Sequence, residues 1–278
     1  MRSPLFILVT SFALALLVVQ LFGSHLPNGR GVAPDLLFAF CKRSPDLGPA
    51  LAAADRGEQT PLLTWLNAAE SSERQALAAI LMEACLTSAG LPTNELSARS
   101  DRAMYGWRRR FAAFANIPTG DNEVDAELDN LIAYLAVAGS ETPSAQDLDL
   151  AKHLLPRITK HNQDAPKAPV WDTIGCVHFV AGDFAAARAA FDEACKLGEH
   201  DLAHASSADR NDLTRSLALY RARRQASIDA DLQTVEHRAA PATRPHLPLP
   251  PELPDTALPE KPAPEKPAPE KTGPEKAH

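Results

Sequence analysis

The sequence predicts an all-α protein, and three observations carry that expectation. Alanine and leucine abound, while aromatic residues make up 6% of the chain and glycine only 13 of its 278 residues. No run of alternating β-branched residues appears, as a half-buried strand would require. Apolar residues recur instead at spacings of three and four through most of the stretch from residue 33 to residue 237. The two ends are of another kind: the first 22 residues are nearly all apolar, and half of the 24 prolines lie beyond residue 240. The expected architecture is an amino-terminal transmembrane helix, helical hairpins, a short helical solenoid and a disordered proline-rich tail. Its boundaries fall at 1–24, 25–32, 33–120, 121–167, 168–201, 202–238 and 239–278.

Leu5 to Phe22 is an 18-residue stretch without a charge, which as a helix is just long enough to span a hydrocarbon core. A cleavable signal peptide would have a shorter apolar region and an A-x-A-like site, whereas Gly23-Ser24-His25 here follows bulky residues. The segment is therefore read as an uncleaved anchor. Arg2 and the α-amino group stand close to one end of it, and Arg30, Lys42 and Arg43 lie further from the other. That asymmetry predicts the amino terminus inside and the bulk of the chain translocated, into the periplasm if the organism is bacterial.

After the polar connector Leu26 to Gly31, helices are expected over Asp35 to Lys42, Pro49 to Arg56 and Pro61 to Glu70. The last two open on a proline, which suits a first helical turn, and Thr60 is the candidate cap of the second. Ser72-x-x-Gln75 has the pattern of a capping box ahead of Ala76 to Ser88, and Gly90-Leu91-Pro92 closes that helix. Glu95 to Phe114 follows, with Met104, Trp107, Phe111 and Phe114 on one side. These segments form hairpins stacked before the next unit, which the boundary Ile117-Pro118-Thr119-Gly120 introduces.

Leu128-x-x-Leu131-Ile132-x-x-Leu135 has helical spacing, and Ser144-x-x-Asp147 is box-like ahead of a second helix, Ala145 to Lys160. Pro156 is expected to kink or shorten that helix. Two short helices around a tight turn then follow. Trp171, Ile174, Gly175 and His178 recur on the first, and Phe184, Ala187, Phe191, Ala194 and Leu197 on the second, with Gly182-Asp183 as breaker and helix start. The small residues Gly175, Ala187 and Ala194 allow two backbones to approach closely while Trp171 and Phe191 fill the space beside them.

Trp171-x-x-Ile174-Gly175-x-x-His178, Gly182 and Ala187-x-x-x-Phe191-x-x-Ala194 resemble a tetratricopeptide repeat, a two-helix unit of 34 residues. His178 stands where the family usually has tyrosine, and Glu199 where it often has proline. Asn130-Leu131-Ile132-Ala133-Tyr134 looks like the opening of a degenerate repeat before it. The resemblance covers about an eighth of the chain and implies a fold rather than a chemistry. It also implies a concave surface, lined by the first helix of each repeat, on which partners bind. The positions it assigns to that groove are Asp172, Cys176, Phe179 and Val180. The alternative reading is that this mostly apolar set is covered by the chain's own amino-terminal helices and forms core.

A lone repeat cannot bury its apolar face, so neighbours must supply the rest of the core. The degenerate unit would stack on one side. On the other, Asp209 to about Val235 is expected as a capping helix, with Leu213, Leu217 and Tyr220 inward and Arg210, Arg215, Arg221, Arg223 and Arg224 mostly outward. From Pro241 onward the composition cannot support a core. Pro-Glu-Lys-Pro-Ala recurs at 259–263 and 264–268, biasing the chain towards an extended spacer.

Net charge is −7, which argues against a nucleic-acid binder, since phosphate contacts need a basic stripe. Arg108-Arg109-Arg110 beside Tyr105 and Trp107 is read as a solvated helix face rather than an anion site. Cys41, Cys85, Cys176 and Cys195 contain neither a C-x-x-C pair nor zinc spacing. Cys176 and Cys195 lie on facing helices, where a bridge and two buried thiols are both open readings. His200 and His204, four apart with Asp201 and Asp209 nearby, are read as surface histidines in a turn rather than metal ligands. No nucleophile elbow, phosphate loop, dinucleotide fingerprint or H-E-x-x-H is present. The functional expectation is a membrane-anchored, non-enzymatic scaffold for another protein, without cofactor, metal, nucleic acid or small-molecule substrate, such as an assembly factor for an envelope complex. The alternative is a structural accessory subunit held in a membrane complex by its transmembrane helix. An enzyme with its site in residues 33–120 is the third possibility.

Overall fold

The computed structural model describes residues 34–88, 105–138, 142–236 and 247–248. Among these residues the secondary structure is helical throughout, with no strand. The helices are α1 (Pro34–Arg43), α2 (Leu47–Arg56), α3 (Thr60–Ala68), α4 (Ser71–Ser88) and α5 (105–112), then α6 (Asn122–Ala138), α7 (Ala145–Asp164), α8 (Ala168–Val180), α9 (Phe184–His204) and α10 (Arg210–Glu236). No helix among the described residues is long and apolar enough to cross a membrane, and the candidate anchor, residues 5–22, lies outside them. So do Met104 and the expected helix start at Glu95.

In the first half, α1 packs on α2 and α4, and α2 on α3. Helix α2 ends in a Schellman turn: Gly57, at φ +100°, and Glu58 donate to the carbonyls of Ala54 and Ala53. Pro61 sits in the first turn of α3 as expected, but Thr60 is already helical and supplies no side-chain cap. The cap of α4 is displaced as well. The carboxylate of Glu73 accepts from the Glu70 backbone N–H at 3.0 Å, while Gln75 reaches out to the Thr119 carbonyl at 3.3 Å. Either residue spacing satisfies the pattern of a capping box, and the helix begins two positions earlier than the Ser72 pattern implies.

The three arginines of α5 are not a solvated face. Arg110 is buried, pairs with Asp55 of α2 and stacks on Phe38 and Trp107, with 4.7 and 4.5 Å from the guanidinium carbon to the ring centres. Arg108 pairs with Asp147 at 3.1 Å, and Arg109 lies over the Tyr105 ring. A loop then leads to α6. Asp125 Oδ1 accepts from both the N–H and the hydroxyl of Thr119 at 2.7 Å, and Gly120 takes φ +91°.

The second half is a stack of hairpins. Helices α6 and α7 pair, α8 packs on both, α9 packs on α8, and α10 on α9. Ser144 and Asp147 form the expected reciprocal capping box at the start of α7. Pro156 does not shorten that helix, which runs on for two turns to Asp164. At the next hairpin, Gly182 turns at φ +82° and Asp183 caps α9 by accepting from the Ala186 N–H at 3.2 Å. Helix α9 continues to His204, so His200 and His204 lie on its last turn rather than in a loop.

The small-residue contact is close. An added Cβ at Gly175 would stand 2.5 Å from a ring carbon of Phe191, whose side chain is fully buried. Ala187 and Ala194 are buried on the same helix, and Ile174 is buried on α8. Trp171 is half-buried against the cluster formed by Ala168, Ala194, Cys195, Leu217 and Tyr220. The inward stripe of α10 thus closes the stack through Leu217 and Tyr220, while Arg221 and Arg224 pair on its outside with Glu199 and Asp192. All four cysteines are buried free thiols, so Cys176 and Cys195 are not bridged.

Candidate functional site

The alternation of the hairpins sets α6, α8 and α10 in the same layer, and four side chains converge there. Asp172 comes from the second turn of α8, Cys176 lies one turn further on, Tyr134 comes from α6 and Arg223 from α10. Arg223 is at the centre. Its Nη1 pairs with Asp172 Oδ2, and Nη2 donates to the Tyr134 hydroxyl at 3.3 Å. Its Nε donates to the Pro248 carbonyl at 3.0 Å. The guanidinium carbon lies 5.4 Å from the centre of the Tyr134 ring. Asp172, Cys176 and Arg223 are buried, with Arg223 at 0% exposure. Asp172 Oδ1 is also buried and has no hydrogen-bond partner.

Electrostatics follow from this burial. Desolvation pushes the Asp172 carboxyl up to about 6, and the Arg223 charge opposes that rise only in part. Burial works against the charge of Arg223 too, but Asp172 and the hydrogen bond to the Tyr134 hydroxyl oppose it, and the guanidinium stays protonated. Burial raises the Cys176 thiol well above its ordinary value, which makes it a neutral space-filler rather than a nucleophile.

The Asp172 shift has a sign. The folded state binds this proton more tightly than the unfolded chain, where the carboxyl titrates near 3.8. The contribution of Asp172 to stability is therefore fully present below about pH 3.8 and is lost as pH rises through about 6. Comparing unfolding free energies of the wild type and Asp172→Asn across this window isolates it. The wild type should lose stability relative to the variant between these two pH values and run parallel to it above them. A difference independent of pH would mean that Asp172 is not desolvated.

The groove positions expected from the sequence divide. Asp172 and Cys176 belong to the cluster but are buried rather than open. Phe179 turns elsewhere: it is buried against Phe184, ring centres 5.4 Å apart, inside the α8/α9 hairpin. Val180 is half-buried at the end of α8. His178 is half-exposed, with Nδ1 at 3.5 Å from Asp183 Oδ2. Arg223, expected to face outward, is the largest correction. The signal was present, because the stripe Leu213, Leu217, Tyr220 continues at spacings of three and four to Arg223, Ser227 and Ala230, the last three of which are buried. An acid on the apolar helix α8 required a base, and the register of α10 supplies it.

Away from this cluster, a concavity of about 370 Å³ lies between the loop 114–118 and helices α6 and α7. Arg157 spans it, donating at 2.7 Å to both the Ala115 carbonyl and Asp129 Oδ1. Burial raises the Asp129 carboxyl, with the Arg157 charge opposing. Its principal charged groups thus satisfy one another and fasten the loop to the stack. His200 and His204 stack with ring centres 4.4 Å apart, and His204 Nδ1 faces the His200 carbonyl at 2.8 Å. Among the described residues no group of three or more histidine, cysteine, aspartate or glutamate side chains is placed to hold a metal ion. The chain matches no protein family, no curated protein and no solved structure.

Proposed function

We propose that this protein is a membrane-anchored scaffold, held by residues 5–22 with the bulk of the chain translocated, that binds another protein on the layer formed by α6, α8 and α10 of a tetratricopeptide-like stack. The observation that carries this reading is the bond from the buried Arg223 Nε to the main-chain carbonyl of Pro248, 25 residues away in sequence. A surface that holds a short piece of polypeptide through its backbone has the means to hold another. The anchor confines the domain to a membrane and raises its effective concentration near partners there. Its work is recruitment, as for an assembly factor of an envelope complex, and needs no cofactor or small-molecule substrate.

The test places a photoreactive phenylalanine at Tyr134 or at Val180 in the full-length chain, with Arg188 on the exposed side of α9 as the control. After illumination of native membranes, Tyr134 and Val180 should give a defined protein adduct that Arg188 does not. Equal helicity by circular dichroism shows first that the probes leave the fold intact. Adducts from a probe within residues 5–22, with none from the α6/α8/α10 layer, would replace this reading by that of an accessory subunit held by its transmembrane helix.

A further inference from the structure

We propose that the α6/α8/α10 layer is a receptor for an extended Leu-Pro segment and that the chain's own Leu247-Pro248 fills it in cis, so that a partner must carry a segment of the same chemistry and displace the resident one. This rests on the scaffold reading above and adds to it the class of partner and a means of regulation.

Leu247 and Pro248, in a proline-rich part of the sequence, have no regular secondary structure, yet Leu247 is only 8% exposed and belongs to the main apolar cluster of the fold. Pro248 is half-buried beside it. The cis connection is within reach. Arg223 lies 13 residues before the end of α10 at Glu236, about 20 Å along the axis at ~1.5 Å per residue. The 11 steps from Glu236 to Leu247 span up to ~36 Å at ~3.3 Å each.

The recognition has two parts. Arg223 reads a backbone carbonyl, which any residue offers, with a donor fixed by its bonds to Asp172 and Tyr134. Selectivity then falls to the apolar cluster in which Leu247 is buried. Proline suits the second position because its fixed φ favours an extended chain and lowers the entropy lost on docking. Leu-Pro also recurs in the same part of the chain at 249–250, 253–254 and 258–259, so a test must disable every copy beyond residue 240.

The experiment uses the full-length protein in mild detergent and a fluorescent peptide with the sequence of residues 243–252. It compares the wild type with a full-length variant carrying Leu247→Asp, Leu249→Asp, Leu253→Asp and Leu258→Asp. A tethered competitor acts at an effective concentration in the millimolar range, so the variant should bind the peptide on the order of tenfold or more tightly than the wild type. The same peptide with its leucines replaced by aspartate should bind neither protein. A second readout needs no variant: millimolar peptide added to the wild type should speed amide exchange at Leu247 while α10 stays protected. Equal affinity for the two proteins together with unchanged exchange overturns the proposal. If that happens while the Tyr134 and Val180 adducts persist, the scaffold reading stands without it; if the adducts are missing too, both readings fall. A wild type that sediments as a dimer beside a monomeric variant would show the segment docked in a second copy, which overturns the cis arrangement.

Discussion

Arg223→Met should destabilise the protein by about 3–5 kcal/mol, because it leaves the buried Asp172 carboxylate without the charge that compensates it. The loss has a ceiling, since Asp172, already raised by burial, can take up a proton instead of staying charged. It should therefore be smaller at pH 5 than at pH 8. The double variant Asp172→Leu/Arg223→Met removes both charges and should recover most of the loss, as replacing a buried ion pair with apolar residues is often neutral or stabilising. Denaturant unfolding of the full-length chain in mild detergent, followed by circular dichroism, reads all three. A single variant within about 1 kcal/mol of wild type would mean that the pair is solvated. The cluster is read here as a device for holding a third group, the Pro248 carbonyl, rather than as a source of stability.

Gly175→Ala should cost about 2 kcal/mol despite the better helix propensity of alanine. The added methyl would meet three carbons of the Phe191 ring at 2.5, 2.6 and 2.9 Å, and that ring is fully buried with no room to retreat. Either α8 and α9 separate or the ring leaves its rotamer, and both disturb the face that carries Asp172 and Cys176. Phe191→Leu in the same chain should restore part of the loss, so the two substitutions will be less damaging together than their separate costs imply. Additive costs would show that the two residues are not in contact.

The hairpin at the centre of the stack was legible in the sequence because its signals are local. Gly182 and Asp183 set the turn, Gly175 and Phe191 fit by size, and the Ser144–Asp147 box starts α7 through bonds within four residues. Where several local solutions compete, the sequence left the outcome open. Ser72 with Gln75 and Glu70 with Glu73 both have cap spacing, and the choice fell to Glu73 as Gln75 turned to the Thr119 carbonyl. Pro156 disrupts a helix in isolation, but the packed stack of α6, α7 and α8 carries α7 through it.

The candidate site lay mostly beyond that local reach. Charge alone suggests that an arginine faces water, and for Arg221 and Arg224, paired on the outside of α10, it does so. For Arg223 the outcome depends on Asp172, 51 positions earlier, and on a carbonyl 25 positions later. The sequence by itself determined an all-helical chain, its hairpin turns and the close contact of α8 with α9, since these rest on periodicity, backbone conformation and side-chain volume. Only the tertiary structure decided that Asp172 and Cys176 are covered rather than open, and that Leu247 is drawn into the core. Those outcomes depend on how distant buried charges and backbone groups find one another, and no spacing within a single segment encodes that.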